Sequence, residues 1–166
     1  MKNNLLVLCC ALAMASSVFA QTKISGSMDC QKADPRHVIQ IPDREEFVYA
    51  ISQFKCTWTK DLGIEGLQSK DYINTVFGEA MGSTIRITAT GVTHYLNGDK
   101  VYSRSVGTRD QKALTSSGKW TIVLGTGKLR GIKGGGSYTC KMKGAEPDAG
   151  YSCESEGEYT LPAAKK

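Results

Sequence analysis

The amino-acid sequence predicts an all-β protein, folded as a barrel or a sandwich, and three observations support this. Apolar residues recur with a period of two rather than 3.6. Turn signals separate seven or eight short strand-like segments at intervals of roughly 8–15 residues, as in β-sandwiches and barrels. Glycine accounts for 18 of the 166 residues, which indicates many tight turns. The length suits one domain, which we place at residues 21–166.

The first twenty residues are expected to lie outside this domain. Lys2 gives a positively charged start, residues 5–15 are mostly apolar, and Val18 and Ala20 are the small residues that a signal peptidase reads. The apolar stretch is too short to span a membrane. We therefore predict a signal peptide at 1–20. The mature protein would be exported, periplasmic or secreted from a bacterium, and would have no transmembrane segment.

Removal of the signal peptide leaves a mildly basic chain. Because Lys2 is lost, 20 Lys and Arg face 16 Asp and Glu, and the formal net charge falls from +5 to +4. The basic residues are scattered, and Lys128, Arg130 and Lys133 come nearest to a cluster. Nucleic-acid-binding proteins concentrate their basic residues in a stripe or a motif. We therefore expect no nucleic-acid partner, and the sequence leaves the oligomeric state open.

Four cysteines of the mature chain predict two disulfide bonds. An even number of cysteines in an exported chain is typical of a disulfide framework. Cys140 and Cys153 lie symmetrically about the turn-rich stretch 144–150, where opposed residues of a hairpin would be found. Cys30 and Cys56 are placed in the same way about a second turn signal, so we predict the pairs Cys30–Cys56 and Cys140–Cys153. No Cys-x-x-Cys pair or His cluster indicates a metal or redox site.

The stretch Phe47–Trp58 fits two structures. Its apolar spacing suits a helix, which Asp43 and Glu46 would begin as a capping box. It also suits a strand with a phase slip near Gln53, of the kind that a bulge produces. We favour the strand, because a disulfide across the preceding turn requires a hairpin-like return. The other predicted strands include residues 38–41, 84–90, 119–124, 136–142 and 152–161.

The strongest hairpin signal is the Asn-Gly-Asp-Lys motif at 97–100, between two strand-like segments. A loop over all four residues opposes Leu96 to Val101 and Tyr95 to Tyr102, which pairs similar side chains across the strands. We prefer that register to a two-residue turn at the centre of the motif.

The segment 125–138, preceded by Ser117-Gly118-Lys119-Trp120, resembles a pattern of the allene oxide cyclase-like and dirigent-type barrels. In that family a strand ends in Gly-Thr-Gly-Lys and a glycine-rich return leads to the next strand. Segments 55–60, 97–100 and 156–159 are similar to exported bacterial proteins of this type without assigned function. The resemblance covers most of residues 35–161 and implies an antiparallel eight-stranded barrel with an apolar lumen. A lipocalin-like barrel or a β-sandwich is the runner-up.

The resemblance brings no active site, because the catalytic positions of the plant enzymes do not match this chain. The glycine-rich segment also fails as a nucleotide site. Gly125, Gly127 and Gly131 miss the dinucleotide-binding spacing by one residue, and the Lys128-Leu129 pair lacks the Ser or Thr of a phosphate-binding loop. We interpret these glycines as sharp turns between strands and expect no cofactor.

Four residues are candidates for ligand binding. Arg104, if it faces the lumen beside Tyr102, would orient a carboxylate in an apolar cavity. Trp120 would add apolar lining, and the preferred hairpin register brings His94 close to Ser103. No nucleophile elbow or third catalytic member accompanies this histidine. We therefore predict no catalytic residues and no metal ligands.

The expected function is non-enzymatic binding of a small apolar or amphipathic ligand inside the barrel. One alternative is an enzyme of the cyclase or isomerase type, acting on a lipid-like substrate. The other is a structural or partner-binding barrel whose core is filled. An eight-stranded barrel has room for its own side chains or for one small ligand. A cavity of at least ~300 Å³ would therefore distinguish a binding barrel from a filled one.

Overall fold

The computed structural model describes residues 21–146 and 149–162. The predicted signal peptide at 1–20 lies outside the described residues, so its cleavage stays a prediction. The described residues form nine strands: β1 Thr22–Cys30, β2 Arg36–Gln40, β3 Phe47–Lys60, β4 Ser69–Met81, β5 Thr84–Tyr95, β6 Lys100–Asp110, β7 Thr115–Gly125, β8 Lys133–Met142 and β9 Tyr151–Thr160. Single 3-10 turns lie at Ile64–Gly66 and Gly127–Leu129.

Eight of these strands close an antiparallel barrel. Each strand from β3 to β9 pairs with the next, β9 pairs with β1, and β1 returns to the second half of β3. The short strand β2 pairs with the first half of β3, from Arg36 opposite Ser52 to Gln40 opposite Val48. It therefore continues the wall beyond the end of β1. The predicted all-β, antiparallel eight-stranded barrel is confirmed.

Strand β3 confirms one part of the sequence prediction and corrects another. The stretch from Phe47 to Trp58 is a strand, as expected. The predicted phase slip near Gln53 is wrong, because the even-numbered side chains of β3 face the interior without interruption from Val48 to Trp58. Tyr49 and Ile51 instead lie on the outer face, 36% and 52% exposed. Apolar residues on both faces produced the apparent slip.

Both predicted disulfides are present. Cys140 and Cys153 are opposed on β8 and β9, with Cα atoms 4.0 Å apart. Cys30 and Cys56 are opposed on β1 and β3, where the barrel closes. The first bond thus links a hairpin, whereas the second links the two strands of the barrel seam.

The β5–β6 hairpin has a different register from the predicted one. Val101 is opposed by Thr93 rather than by Leu96. The loop is three residues long and ends in Gly98, whose φ of 87° is the left-handed conformation that this loop type requires. The Asn97 side chain accepts the backbone N–H two residues further on. Local turn chemistry therefore fixes the register, and Leu96 lies 62% exposed at the tip.

The glycine-rich segment is mostly strand. Gly127 and Gly131 lie between β7 and β8, as the interpretation as turn glycines requires, whereas Gly125 is the last residue of β7 and the interpretation is wrong for it. Some glycines of the barrel strands leave room for an aromatic ring on the inner wall. A Cβ at Gly157 on the neighbouring β9, for example, would come within 2.7 Å of the Trp120 ring.

One end of the barrel is closed by an apolar cluster that we call the plug. The two 3-10 turns contribute its most buried side chains, Ile64 and Leu129, which are 1% and 0% exposed. The other buried members are Ile132, which directly precedes β8, and the strand residues Ile24, Tyr95, Val101, Ile122 and Tyr159. Access to the interior is therefore from the opposite end, where β3 begins and where β4 meets β5.

Candidate functional site: the barrel lumen

The lumen contains a cavity of about 400 Å³. Its lining comes from the inward side chains of the barrel strands and from β2. Arg36, Glu45, Glu46, Gly82 and Gln111 line it at the end opposite the plug, and we call this end the mouth. The volume lies within the usual range of ligand pockets, about 300–1,000 Å³.

One side of the cavity is a smooth apolar wall. It is formed by the halves of β3, β4 and β5 that lie towards the mouth, where the inward positions carry small or β-branched residues. Such side chains are short and stiff, so they cover the sheet without reaching across the lumen. The members of this apolar wall are Val48, Ala50, Val76, Ala80, Ile85, Ile87 and Ala89.

Three tyrosines, which we call the tyrosine cluster, provide polar groups deeper in the lumen: Tyr72, Tyr138 and Tyr151. Asn74 on β4 connects two of them. Its side-chain amide donates to the Tyr151 hydroxyl at 2.8 Å, and its oxygen accepts from the Tyr72 hydroxyl at 3.4 Å. Asn74 thereby connects the hydroxyl groups of β4 and β9 across the cavity.

Glycines on the neighbouring strands determine where these hydroxyls lie. A Cβ at Gly91 would come within 2.0 Å of the Tyr72 hydroxyl oxygen. A Cβ at Gly107 or at Gly118 would come within 2.4 or 2.8 Å of the Tyr138 hydroxyl oxygen. Any larger residue at these positions would displace a ring, so the glycines are part of the site.

The tyrosine hydroxyls remain protonated at neutral pH. Burial raises the pKa of Tyr72 to about 12, with a smaller opposing effect of a hydrogen bond with Ser103. Burial also raises the pKa of Tyr138 and of Tyr151, partly offset at Tyr138 by a hydrogen bond with Ser116. Each hydroxyl can therefore donate as well as accept a hydrogen bond.

Two arginines line the cavity towards the mouth. Arg109 on β6 points inward between its strand neighbours Ile85 and Ser116, and only 6% of it is exposed. Burial lowers the pKa of Arg109, although a guanidinium stays charged at any ordinary pH. Arg36 on β2 is half-buried beside Ser52, and its Nε is buried without a hydrogen-bond partner among the described residues.

The two tryptophans of the lumen differ in how their ring nitrogens are satisfied. Trp120 Nε1 donates to the backbone oxygen of Ser137 at 3.1 Å. Trp58 packs against Tyr72 with 5.9 Å between ring centroids, and its Nε1 is buried without a partner among the described residues. The lumen therefore contains a surplus of hydrogen-bond donors.

Of the four predicted ligand-binding residues, the structure places only Trp120 in the cavity lining. Arg104 is exposed on the outer face of β6, so the condition for its expected role, a position facing the lumen, is not met, and the expectation is corrected. Tyr102 also lies on the outer face. His94 points outward from β5 and pairs with Asp71, and it does not meet Ser103.

The observed register of the hairpin determines which residues of β6 face the lumen. The predicted loop opposed Val101 to Leu96, whereas the strand pairs Val101 with Thr93, a difference of three residues. Because side chains alternate between faces, a shift by an odd number of residues exchanges the two faces of a strand. Val101 and Arg109 therefore face inward, and Arg104 faces outward.

Sequence reasoning missed Arg109 and the tyrosine cluster, but the sequence holds a signal for part of them. Tyr138 precedes Cys140 by two residues, and Tyr151 precedes Cys153 by two. Paired half-cystines that are buried in a barrel face its interior, and residues two positions away share that face. The predicted disulfide thus places both tyrosines in the lumen.

The described part of the chain brings together no group of three His, Cys, Asp or Glu side chains that could hold a metal ion. Within the same residues, no helix has the length and apolar character needed to cross a membrane.

Comparisons with protein-family models and with curated proteins give no match. Solved structures that are similar to this chain include two pterocarpan synthase dirigent proteins. PsPTS1 aligns with a TM-score of 0.50 and 10% identity, covering 85% of this chain and 95% of its own. GePTS1 aligns with a TM-score of 0.49 and 13% identity, covering 93% and 100%. At 10% identity the likeness to PsPTS1 concerns the fold alone, and together with the observed strand order it shows a dirigent-type β-barrel fold.

Proposed function

We propose that this protein binds a small amphipathic molecule in the lumen of its barrel. The cavity of about 400 Å³, closed by the plug and open at the mouth, is the observation that carries this proposal. Binding sites for small molecules are concave and mostly apolar, with a few polar groups that fix orientation. The apolar wall and the tyrosine cluster together have this composition.

The size of the wall residues favours a bound ligand over a filled core. Ala50, Ala80 and Ala89 take inward positions of the apolar wall that larger side chains would use to fill the lumen. Protein interiors are otherwise packed about as densely as organic crystals, and empty space forfeits dispersion contacts. A ligand of suitable shape would restore those contacts.

A second candidate function is isomerase or cyclase chemistry, and the tyrosine cluster is the observation in its favour. Buried hydroxyl donors can stabilise negative charge that develops on a substrate oxygen. Among the described lining residues, however, the carboxylates are Glu45 and Glu46, both exposed at the mouth, and no histidine lines the cavity. A base beside the hydroxyls is thus missing from the described lumen, and we place binding first.

The proposed setting is outside the cytoplasm. The two disulfides would persist in an oxidising compartment, such as a periplasm or an extracellular medium. The signal peptide predicted from the sequence agrees with that setting.

The test compares two neighbouring residues of β5 that face opposite sides. Ala89 faces the lumen and is 4% exposed, whereas Thr88 is exposed on the outer face. Ala89→Phe would place a benzyl group in the cavity, and Thr88→Phe would place the same group in solvent.

We would titrate the mature protein with an environment-sensitive apolar dye and record native mass spectra for retained ligand. We expect the wild type and Thr88→Phe to bind the dye and Ala89→Phe to lose most of the binding. Equal dye binding by all three folded proteins, or no binding by the wild type, would contradict the proposal.

A further inference from the structure

We infer that the ligand is an amphipathic carboxylate, with its acidic head at the mouth near Arg36 and Arg109 and its apolar body along the apolar wall. This inference rests on the proposed function and adds the chemical class of the ligand. It follows from the charge of the lining, from its unused hydrogen-bond donors and from the position of both along the barrel.

The charged groups of the cavity are unequally placed. Arg109 lies inside, 6% exposed, and Arg36 has a buried Nε. The acidic residues of the described lining, Glu45 and Glu46, are exposed at the rim, and Glu46 is held by Arg44 at 3.2 Å. Within the described lining, the positive groups are therefore the more buried ones, and the interior favours an anion.

The hydrogen-bonding groups of the cavity lining also favour an anion. The Nε of Arg36 and the Nε1 of Trp58 are buried donors without an acceptor among the described residues. Buried polar groups that lack a partner are uncommon in proteins, so each such group calls for an explanation. An acceptor-rich head group explains the Arg36 nitrogen at the mouth. A second oxygen or a π system on the ligand body would explain the Trp58 nitrogen deeper inside.

A carboxylate suits this mouth better than a neutral polar group does. A guanidinium presents parallel N–H donors that match the two oxygens of a carboxylate. Charge-assisted hydrogen bonds of this kind are about twice as strong as neutral ones. Burial already lowers the pKa of Arg109, which indicates that its charge is poorly solvated. A ligand cation would be repelled by both arginines.

The strand pairing places both arginines in the half of the barrel that lies towards the mouth. Arg36 pairs with Ser52 in the first half of β3, and Arg109 pairs with Ile85 near the start of β5. Since neighbouring strands are antiparallel, the start of β3, the start of β5 and the end of β6 meet at the mouth. The apolar wall begins there and continues towards Trp58. One acidic head and one apolar body are therefore the arrangement that the lumen fits.

The experiment uses three probes of nearly identical shape: 4-(1-naphthyl)butyrate, 4-(1-naphthyl)butanol and 4-(1-naphthyl)butylamine. Their affinities for the purified mature protein are measured by calorimetry at neutral pH and low salt. We expect the butyrate to bind at least about tenfold more tightly than the butanol, because a charge-assisted bond replaces a neutral one. We expect the amine to bind most weakly.

Variants then locate the preference. Arg109→Gln and Arg36→Gln should each reduce the butyrate affinity about tenfold and leave the butanol affinity within a factor of about two. Arg104→Gln is the matched control, since Arg104 lies on the same strand as Arg109 and faces solvent. It should leave both affinities unchanged. Circular dichroism establishes that each variant is folded, and Arg36→Gln carries the test if Arg109→Gln does not fold.

The outcomes separate this inference from the function on which it rests. Equal affinities for butyrate and butanol would overturn the carboxylate and leave lumen binding intact. A preference for butyrate that Arg104→Gln removes, and that Arg36→Gln and Arg109→Gln retain, would overturn the site at the mouth. If none of the three probes binds, the proposed function fails together with the inference.

Discussion

Replacing Gly91 by alanine should destabilise the protein through a single side chain, Tyr72. The added methyl carbon would lie 2.0 Å from the tyrosine hydroxyl oxygen and 2.4 Å from two ring carbons, and real Cβ contacts are never this short. The ring must therefore leave the surface of β5. It would lose its packing against Trp58, now at 5.9 Å, and its hydrogen bond with Asn74.

The size of the effect follows from these two losses. Overpacking in a core costs about 1–3 kcal/mol. A lost hydrogen bond adds about 0.5–1.5 kcal/mol. We therefore expect the free energy of unfolding of Gly91→Ala to fall by about 2–4 kcal/mol. Because the displaced ring would enter the cavity, probe binding should weaken as well.

Urea unfolding followed by tryptophan fluorescence measures this change, and two comparisons sharpen it. Gly78→Ala is the matched control, since a Cβ there would meet only the end of the Ile85 side chain, at 3.2 Å. It should cost less than about 1 kcal/mol. In a protein that already carries Tyr72→Ala, Gly91→Ala should leave the free energy of unfolding almost unchanged. A loss below about 0.5 kcal/mol in the wild type, or the same loss in both backgrounds, would refute this reasoning.

Two further predictions concern stability. The Cys30–Cys56 disulfide closes a loop of 26 residues, and Cys140–Cys153 closes a loop of 13 residues. Chain entropy therefore predicts that replacing the first pair by alanine lowers the free energy of unfolding by about 3.5 kcal/mol, and replacing the second pair by about 2.9 kcal/mol. Urea unfolding of the two double variants measures this, and a larger loss for Cys140–Cys153 would contradict it. The pKa of Tyr72 is raised from 10.0 to about 12, so its neutral form stabilises the fold fully below pH 10 and this contribution is lost as pH rises through 12. Unfolding free energies measured across that range should fall less steeply for Tyr72→Phe, and an unchanged slope would contradict the assignment.

Local patterns in the sequence predicted much of the architecture. The alternation in β5, the cysteine spacing and the choice of a strand for Phe47–Trp58 each depend on residues close in sequence, and each is confirmed. Side-chain direction was harder to predict, because it depends on the register of a turn. The register of the β5–β6 hairpin differs by three residues from the predicted one, and in the observed register Arg109 faces the lumen whereas Arg104 faces solvent.

The role of the strand glycines was beyond local reasoning. Gly91 and Gly118 adopt no special backbone conformation, so nothing nearby in sequence distinguishes them from turn glycines. Their significance lies in contacts with Tyr72 and Tyr138, which come from other strands of the barrel. Such contacts between neighbouring strands become visible only when the register of those strands is known.

The central claim, that the lumen is a binding site, can be tested by intermolecular nuclear Overhauser effects. Labelled protein is mixed with 4-(1-naphthyl)butanol, whose neutral head makes the result independent of the proposed carboxylate site. We predict contacts between the naphthyl protons and the inward methyl groups of Val76 and Ile87, which line the cavity. No contact is expected with Val106 or Val123, which are 58% and 56% exposed on the outer face. Contacts with these two valines alone, or no contacts at all, would contradict the account.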